Sequence, residues 1–195
     1  RWRCRKKTKR EKLRKNGDEV RRKEKKRKSL PREIFGWFFY LFLILAVIFL
    51  LIQFVGQRTV VQGSSMYPTL LDGDSLIVDK LTYKFSDPER FDVVVFPFRY
   101  QEDTYYIKRI IGLPGETVQI RNGEIYINGR LLEEEYGWGE MKSGGLASEP
   151  VILGEDEYFV LGDNRNSSSD SREPSVGNIE ESQLIGRAWM RVWPL

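Results

Sequence analysis

Residues 34–55, IFGWFFYLFLILAVIFLLIQFV, run for 22 positions without a charge. No other feature limits the fold so severely. Only a large core could cover such a run in water, and a chain of 195 residues does not supply one. As a helix it would extend about 33 Å at ~1.5 Å per residue, enough to cross a hydrocarbon layer ~30 Å thick. It is too long for the apolar core of a signal peptide, and no small-x-small cleavage pattern follows it. Trp37 and Tyr40 lie towards one end, where an aromatic belt would put them. One transmembrane helix over 34–55 is expected.

Charge then orients that helix. Residues 1–33 hold 18 Lys and Arg against 5 Asp and Glu, whereas 56–195 hold 14 against 23. Basic flanks stay on the cytoplasmic side, so the expected arrangement is a cytoplasmic tail, a single pass of the plasma membrane and an extracytoplasmic domain over 56–195. The tail has almost nothing to bury and is expected to be disordered. No aromatic follows Trp2 within it to stack on bases, so nucleic acid is not an expected partner. Opening on Arg1 rather than Met, the chain is expected to have a truncated or processed start.

Composition removes whole classes of chemistry. The chain has no histidine and a single cysteine, Cys4. A Ser–His–Asp triad, a Cys–His pair and a His-ligated metal are therefore impossible, and no intrachain disulfide can close. A serine nucleophile here would need a lysine, a carboxylate or a terminal amine as its base.

Beyond the apolar run the pattern is β. Short stretches rich in Val, Ile, Tyr and Phe occupy 75–83, 92–98, 104–112, 117–123, 124–130 and 157–163, mostly bounded by Gly, Asp, Asn or Pro, and the closing strand is expected over 186–193. Asn122-Gly123 suits the positive φ of a type I′ hairpin turn. Residues 133–150 read as a flexible surface loop within a cap-like subregion over about 120–155. The expected fold is mainly β, an antiparallel sheet domain after one N-terminal helix.

Three segments could carry chemistry. In QGSSMYPTL (62–70), Gly63 and Pro68 flank two adjacent serines, Ser64 and Ser65; the segment is either a solvated loop or a held nucleophile. In TYYIKRIIG (104–112), strand alternation gives Lys108 the same-face neighbours Tyr106 and Ile110, which would desolvate its amine and lower its pKa. An edge-strand lysine facing solvent is the other reading of that pattern. LGDNRNSSSDSR (161–172) is a solvated loop, a hydrogen-bonded scaffold or an anion or metal cradle, although it matches neither a P-loop nor an EF-hand.

Taken in order, GSSMYPTL, DVVVF…YYIKRIIGLPGETV and GDNRNSSSDSR resemble bacterial type I signal peptidases, from about residue 63 to 194. The resemblance implies a membrane-anchored serine endopeptidase with a Ser–Lys dyad, cutting after small residues of Ala-x-Ala type. It assigns the nucleophile to Ser65, the general base to Lys108 and a lysine-orienting role to Ser168. Arg109, Asp163, Asn164, Arg165, Asp170 and Arg172 fall on positions that hold the site together. Val61, Met66, Leu70, Leu76, Val95, Tyr106 and Ile107 would line shallow pockets for small side chains. Gly63 stands where some members carry a serine that donates to the oxyanion, which leaves the Ser65 backbone N–H, with Ser64 as a candidate helper. Phe91 replaces the usual glycine before Asp92, a change expected to touch the turn rather than the chemistry. No metal or cofactor is implied. The implied partners are signal-peptide-bearing preproteins and membrane lipid, with the secretion translocon a further candidate. A specialised Ser–Lys processing protease and a catalytically silent membrane-tethered module are the alternatives.

Overall fold

The computed structural model describes residues 14–19, 21, 34–49 and 56–193, and the chain divides into two compact units, 1–50 and 51–195. In the first unit, residues 14–19, 21 and 34–49 are helical. The helix over 34–49 exposes Phe35, Trp37, Phe38 and Phe42 alike, so its apolar side chains point all round. At ~1.5 Å per residue this stretch is about 24 Å long. Among the described residues no helix is long and apolar enough to cross a membrane. That differs from the spanning helix expected over 34–55, of which 50–55 lie outside the described residues. Most of the basic tail, 1–33, lies outside them too.

The second unit is built on antiparallel strands. β1 (Gly56–Val60), β2 (Ser75–Asp79), β3 (Val93–Pro97), β4 (Tyr105–Gly112), β9 (Glu157–Leu161), β10 (Ile179–Glu180) and β11 (Gly186–Trp193) form a seven-stranded sheet in the order β1-β2-β11-β3-β4-β9-β10. A second sheet of four strands has the order β7-β6-β5-β8, from β5 (Thr117–Arg121), β6 (Glu124–Ile127), β7 (Arg130–Leu131) and β8 (Val151–Ile152). Every pairing is antiparallel. Asn122 and Gly123 both take positive φ, 53° and 81°, and close the β5–β6 hairpin with Arg121 opposite Glu124.

Local chemistry explains where strands stop short of the sequence pattern. The apolar run over 75–83 ends as a strand at Asp79, whose carboxylate accepts from Leu81 N, Thr82 N and Thr82 Oγ1 and turns the chain into a 3-10 turn, Thr82–Lys84. Phe91 adopts φ 74°, a conformation that glycine takes freely and that costs an L-residue about 1–2 kcal/mol. The turn holds because Phe91 N–H donates to Ile110 O, Phe91 O accepts from Arg109 Nη1, and the ring packs on Tyr136.

Three apolar clusters support the site. Ile111, Val118, Ile120, Ile125, Phe159 and Leu161 join the small sheet to β4 and β9. Val94, Phe96, Ile110, Tyr158 and Val160 fill the middle of the large sheet. Val61, Met66, Leu70 and Leu76 lie beneath the loop that carries the two serines.

Candidate active site

The serine loop, 61–74, is closed at its base by Val61 N–H to Asp74 O (2.8 Å) and Gly73 N–H to Val61 O (2.9 Å). Asp72 Oδ1 accepts from Gly63 N at 2.8 Å, and Asp74 Oδ2 accepts from Leu71 N at 2.8 Å. Gly63 has φ +90° and nothing within 4 Å of where a Cβ would stand. Glycine is needed there for its conformation, not for space. The Met66 side chain anchors the loop, fully buried in the cluster below. Ser65 is left half-buried at the loop's turn.

Lys108 comes from β4. Pairing of β4 with β9 ends at Arg109 opposite Leu161, so the chain after β9 turns away just where Lys108 stands. Lys108 Nζ lies 2.9 Å from Ser65 Oγ and 3.0 Å from Ile107 O, and 5.1 Å from the centroid of the Tyr106 ring. The residue is 4% exposed. Burial pushes the amine down from 10.5 to about 8, against the opposing pull of Asp170, Asp163 and Glu173. The two aspartates are already engaged. Arg109 grips Asp163 through Nε–Oδ1 (2.8 Å) and Nη2–Oδ2 (2.6 Å), and Arg172 grips Asp170 at 2.8 Å twice.

The segment after β9 ties these parts together. Asn164 N–H donates to Ser65 O (3.0 Å) and its Nδ2 to Ser64 O (3.1 Å), which fixes both serines from behind. Arg165 donates to Gly162 O and forms a forked ion pair with Glu134. Arg172 Nη2 reaches Arg165 O at 2.7 Å, and Gly162 N donates to Asp170 Oδ2 at 3.1 Å. A Cβ on Gly162 would lie 2.2 Å from Ser168 Oγ and 2.5 Å from Ser65 O, so only glycine lets this turn approach the serine loop.

Ser168 lies against the turn at Gly162, close to the serine loop. Its hydroxyl is buried without a hydrogen-bond partner, and the second bond of Lys108 Nζ goes to the Ile107 carbonyl. A cleft of about 670 Å³ opens beside the pair, walled by residues 58–65, Val95, 103–108, Ser167 and Ser169. Of the expected pocket residues, Val61, Val95, Tyr106 and Ile107 face it. Met66, Leu70 and Leu76 do not: they sit behind the wall, because the loop turns their side chains into the core.

Several contributors carry no signal in the sequence. Thr69 Oγ1 donates to Asp163 Oδ2 at 2.5 Å. Alternate residues of 134–138 reach the site: Glu134 to Arg165, Tyr136 under the Arg109 guanidinium at 3.8 Å, and Trp138 against Tyr67. Residues 133–150 thus form a strap over the Arg109–Asp163 pair, with Met141 and Ala147 buried. Polar spacing and glycines hid this in the sequence. Among the described residues no group of acidic or cysteine side chains could hold a metal ion.

The chain matches the family described as signal peptidase, peptidase S26, over residues 34–193. It is 40% identical over 148 residues to the probable signal peptidase I-2 of Synechocystis sp., covering 73% of this chain and 65% of that protein. It is 35% identical over 181 residues to signal peptidase I P of Bacillus subtilis subsp. natto, covering 89% of this chain and 95% of the relative. A solved signal peptidase I from Enterococcus faecalis is 32% identical, with a TM-score of 0.42 over 52% of this chain and 97% of the other.

Proposed function

The chain belongs to the signal peptidase family, peptidase S26, and is a serine endopeptidase; from that premise we propose that it removes N-terminal signal peptides from secreted preproteins, with Ser65 as nucleophile and Lys108 as general base. The observation that supports this reading is the 2.9 Å contact between Lys108 Nζ and Ser65 Oγ, made by an amine that burial has brought to about 8. At pH 7 such an amine is neutral in about one molecule in ten, against about one in three thousand at its ordinary pKa. Burial therefore raises the supply of free base about 300-fold.

Neutral Lys108 accepts the Ser65 hydroxyl proton as Oγ bonds to the scissile carbonyl carbon. The Ser65 N–H faces the developing oxyanion, with Ser64 at hand, since Gly63 brings no side-chain donor. Collapse expels the new amine, which takes its proton from the Lys108 ammonium and leaves an ester on Ser65. Water then adds to the ester carbonyl, giving a proton to the Lys108 amine, which returns it to Ser65 Oγ as the carbon–oxygen bond breaks and the carboxylic acid leaves. Arg109, Asp163, Asn164, Arg165, Asp170 and Arg172 position the pair, and no cofactor takes part.

Substrate lies extended in the cleft, where alternate residues point to one wall. The first and third residues before the cut face Val61, Val95, Tyr106 and Ile107, which leave room for small side chains such as alanine. The helix over 34–49 belongs to the apolar run that anchors the protein by a single pass of the plasma membrane, tail in the cytoplasm and catalytic unit outside. That placement brings lipid, preproteins and the secretion translocon to the same surface.

The test is cleavage, by the full chain in detergent micelles, of a preprotein with alanine at both positions, the new N-terminus being read by mass spectrometry. Wild type should cut after the second alanine. Lys108→Ala and Ser65→Ala should each lose at least about a thousandfold in rate. Undiminished cleavage by Lys108→Ala would end the proposal.

A further inference from the structure

Along the serine loop the cleft wall includes Ser65 but none of the residues that follow it. Tyr67 and Trp138 meet edge to face, with ring centroids 4.9 Å apart and planes at 80°. Both remain open to solvent, Tyr67 at 40% and Trp138 at 50%, and neither belongs to the cleft wall. The pair is nonetheless held. Trp138 N–H donates to Asp163 O at 2.7 Å, Tyr67 N–H donates to Ser64 O at 3.1 Å, and Trp138 bridges to Asn164. On the same strap, the Glu134–Arg165 ion pair and the Tyr136–Arg109 stack fix the neighbouring turns. Two large rings have thus been fixed beside the reactive serine without being buried. Rigid aromatic surface of this kind binds a passing chain at low entropic cost, because few rotamers are lost.

We propose that Tyr67 and Trp138 form the subsite for the residues that follow the scissile bond, and that they grip this leaving side through apolar and aromatic contact. The inference rests on the reading of Ser65 as nucleophile. Continuity identifies the occupant. β1 and the stretch 103–108 bring the cleft to Ser65 from the N-terminal side of the serine loop, and Tyr67 stands on its C-terminal side. An extended peptide that fills the cleft up to the cut must continue across the next surface, and Tyr67, on which Trp138 packs, stands two residues from the nucleophile. Trp138 is then a specificity-determining residue, and its reach to the site through Asn164 makes the platform rigid.

The experiment uses the full chain in detergent and two substrates with one common signal side. One carries ten residues after the cut, and the other ends at the cut as a simple amide. The readout is the ratio of kcat/KM for the long over the short substrate. Trp138→Ala should lower that ratio about three- to tenfold, mainly through KM, and Trp138→Phe should restore most of it. Tyr67→Leu should lower it in the same sense and decides the matter if Trp138→Ala fails to fold. An unchanged ratio overturns the proposal, as does an equal loss on both substrates, which would make Trp138 only a support for Asn164. A fall seen with phosphatidylglycerol vesicles but absent in detergent would give the rings to the lipid surface and also overturn it. Wild type that cleaves neither substrate sinks the nucleophile assignment itself, and this inference with it.

Discussion

Lowering the pH from 9 to 6 protonates Lys108, whose amine burial holds at about 8. Desolvation outweighs the nearby carboxylates because Asp163 and Asp170 are each gripped by an arginine, Arg109 and Arg172. For a single group at about 8, the neutral fraction is about 90% at pH 9, about 10% at pH 7 and about 1% at pH 6. With Lys108 as base, kcat/KM should follow that fraction and fall about ninetyfold over the range. The assay is hydrolysis of a fluorogenic signal-sequence peptide in detergent at constant ionic strength. Stability supplies an independent check with a defined sign. The folded pKa lies below the unfolded value, so between the two the unfolded chain binds more protons and stability rises with pH. From pH 8 to 9.5 the gain should be about 1.5 kcal/mol in urea unfolding, and Lys108→Met should remove it. Above pH ~10 the gain is offset by Tyr83 and Tyr158, whose hydroxyls burial pushes upward, so the window closes there. An activity profile level down to pH 6, or with its midpoint in the carboxylate range, would refute the assignment of the base.

Asn164→Ala frees the Ser64 carbonyl and should lower kcat about ten- to a hundredfold with KM little changed, as measured by steady-state kinetics. Gly162→Ala drives a methyl group to 2.2 Å from Ser168 Oγ and 2.5 Å from Ser65 O; it should cost about 1–3 kcal/mol in urea denaturation and most of the activity. Arg109→Gln strands the fully buried Asp163 carboxylate and should destabilise the protein by about 3–5 kcal/mol by the same measurement.

What the sequence revealed was whatever depends on near neighbours. The period of two along 104–112 gave Lys108 apolar flanks, and Asn122-Gly123 announced its hairpin. The closing strand expected over 186–193 coincides with β11, Gly186–Trp193. Features set by distant residues stayed hidden. Nothing local says that Phe91 will take a left-handed conformation, or that Met66, Leu70 and Leu76 face inward. The strap is the clearest case, since Glu134 and Arg165 stand 31 residues apart and meet only in the folded chain. A sequence pattern reports which side chains one strand presents together, and the contacts that join β4 to the serine loop, the segment after β9 and the strap lie beyond its reach.

Activation of one hydroxyl by one dry amine is the core of the account, and covalent labelling tests it most directly. The full chain in detergent is treated at pH 8 with a serine-directed acylating probe, digested, and the modified peptide sequenced by mass spectrometry. The account predicts a single acyl group on Ser65 in the wild type and none on the Lys108→Ala variant. An adduct on Ser64, or equal labelling of Ser65 with the amine gone, would contradict it.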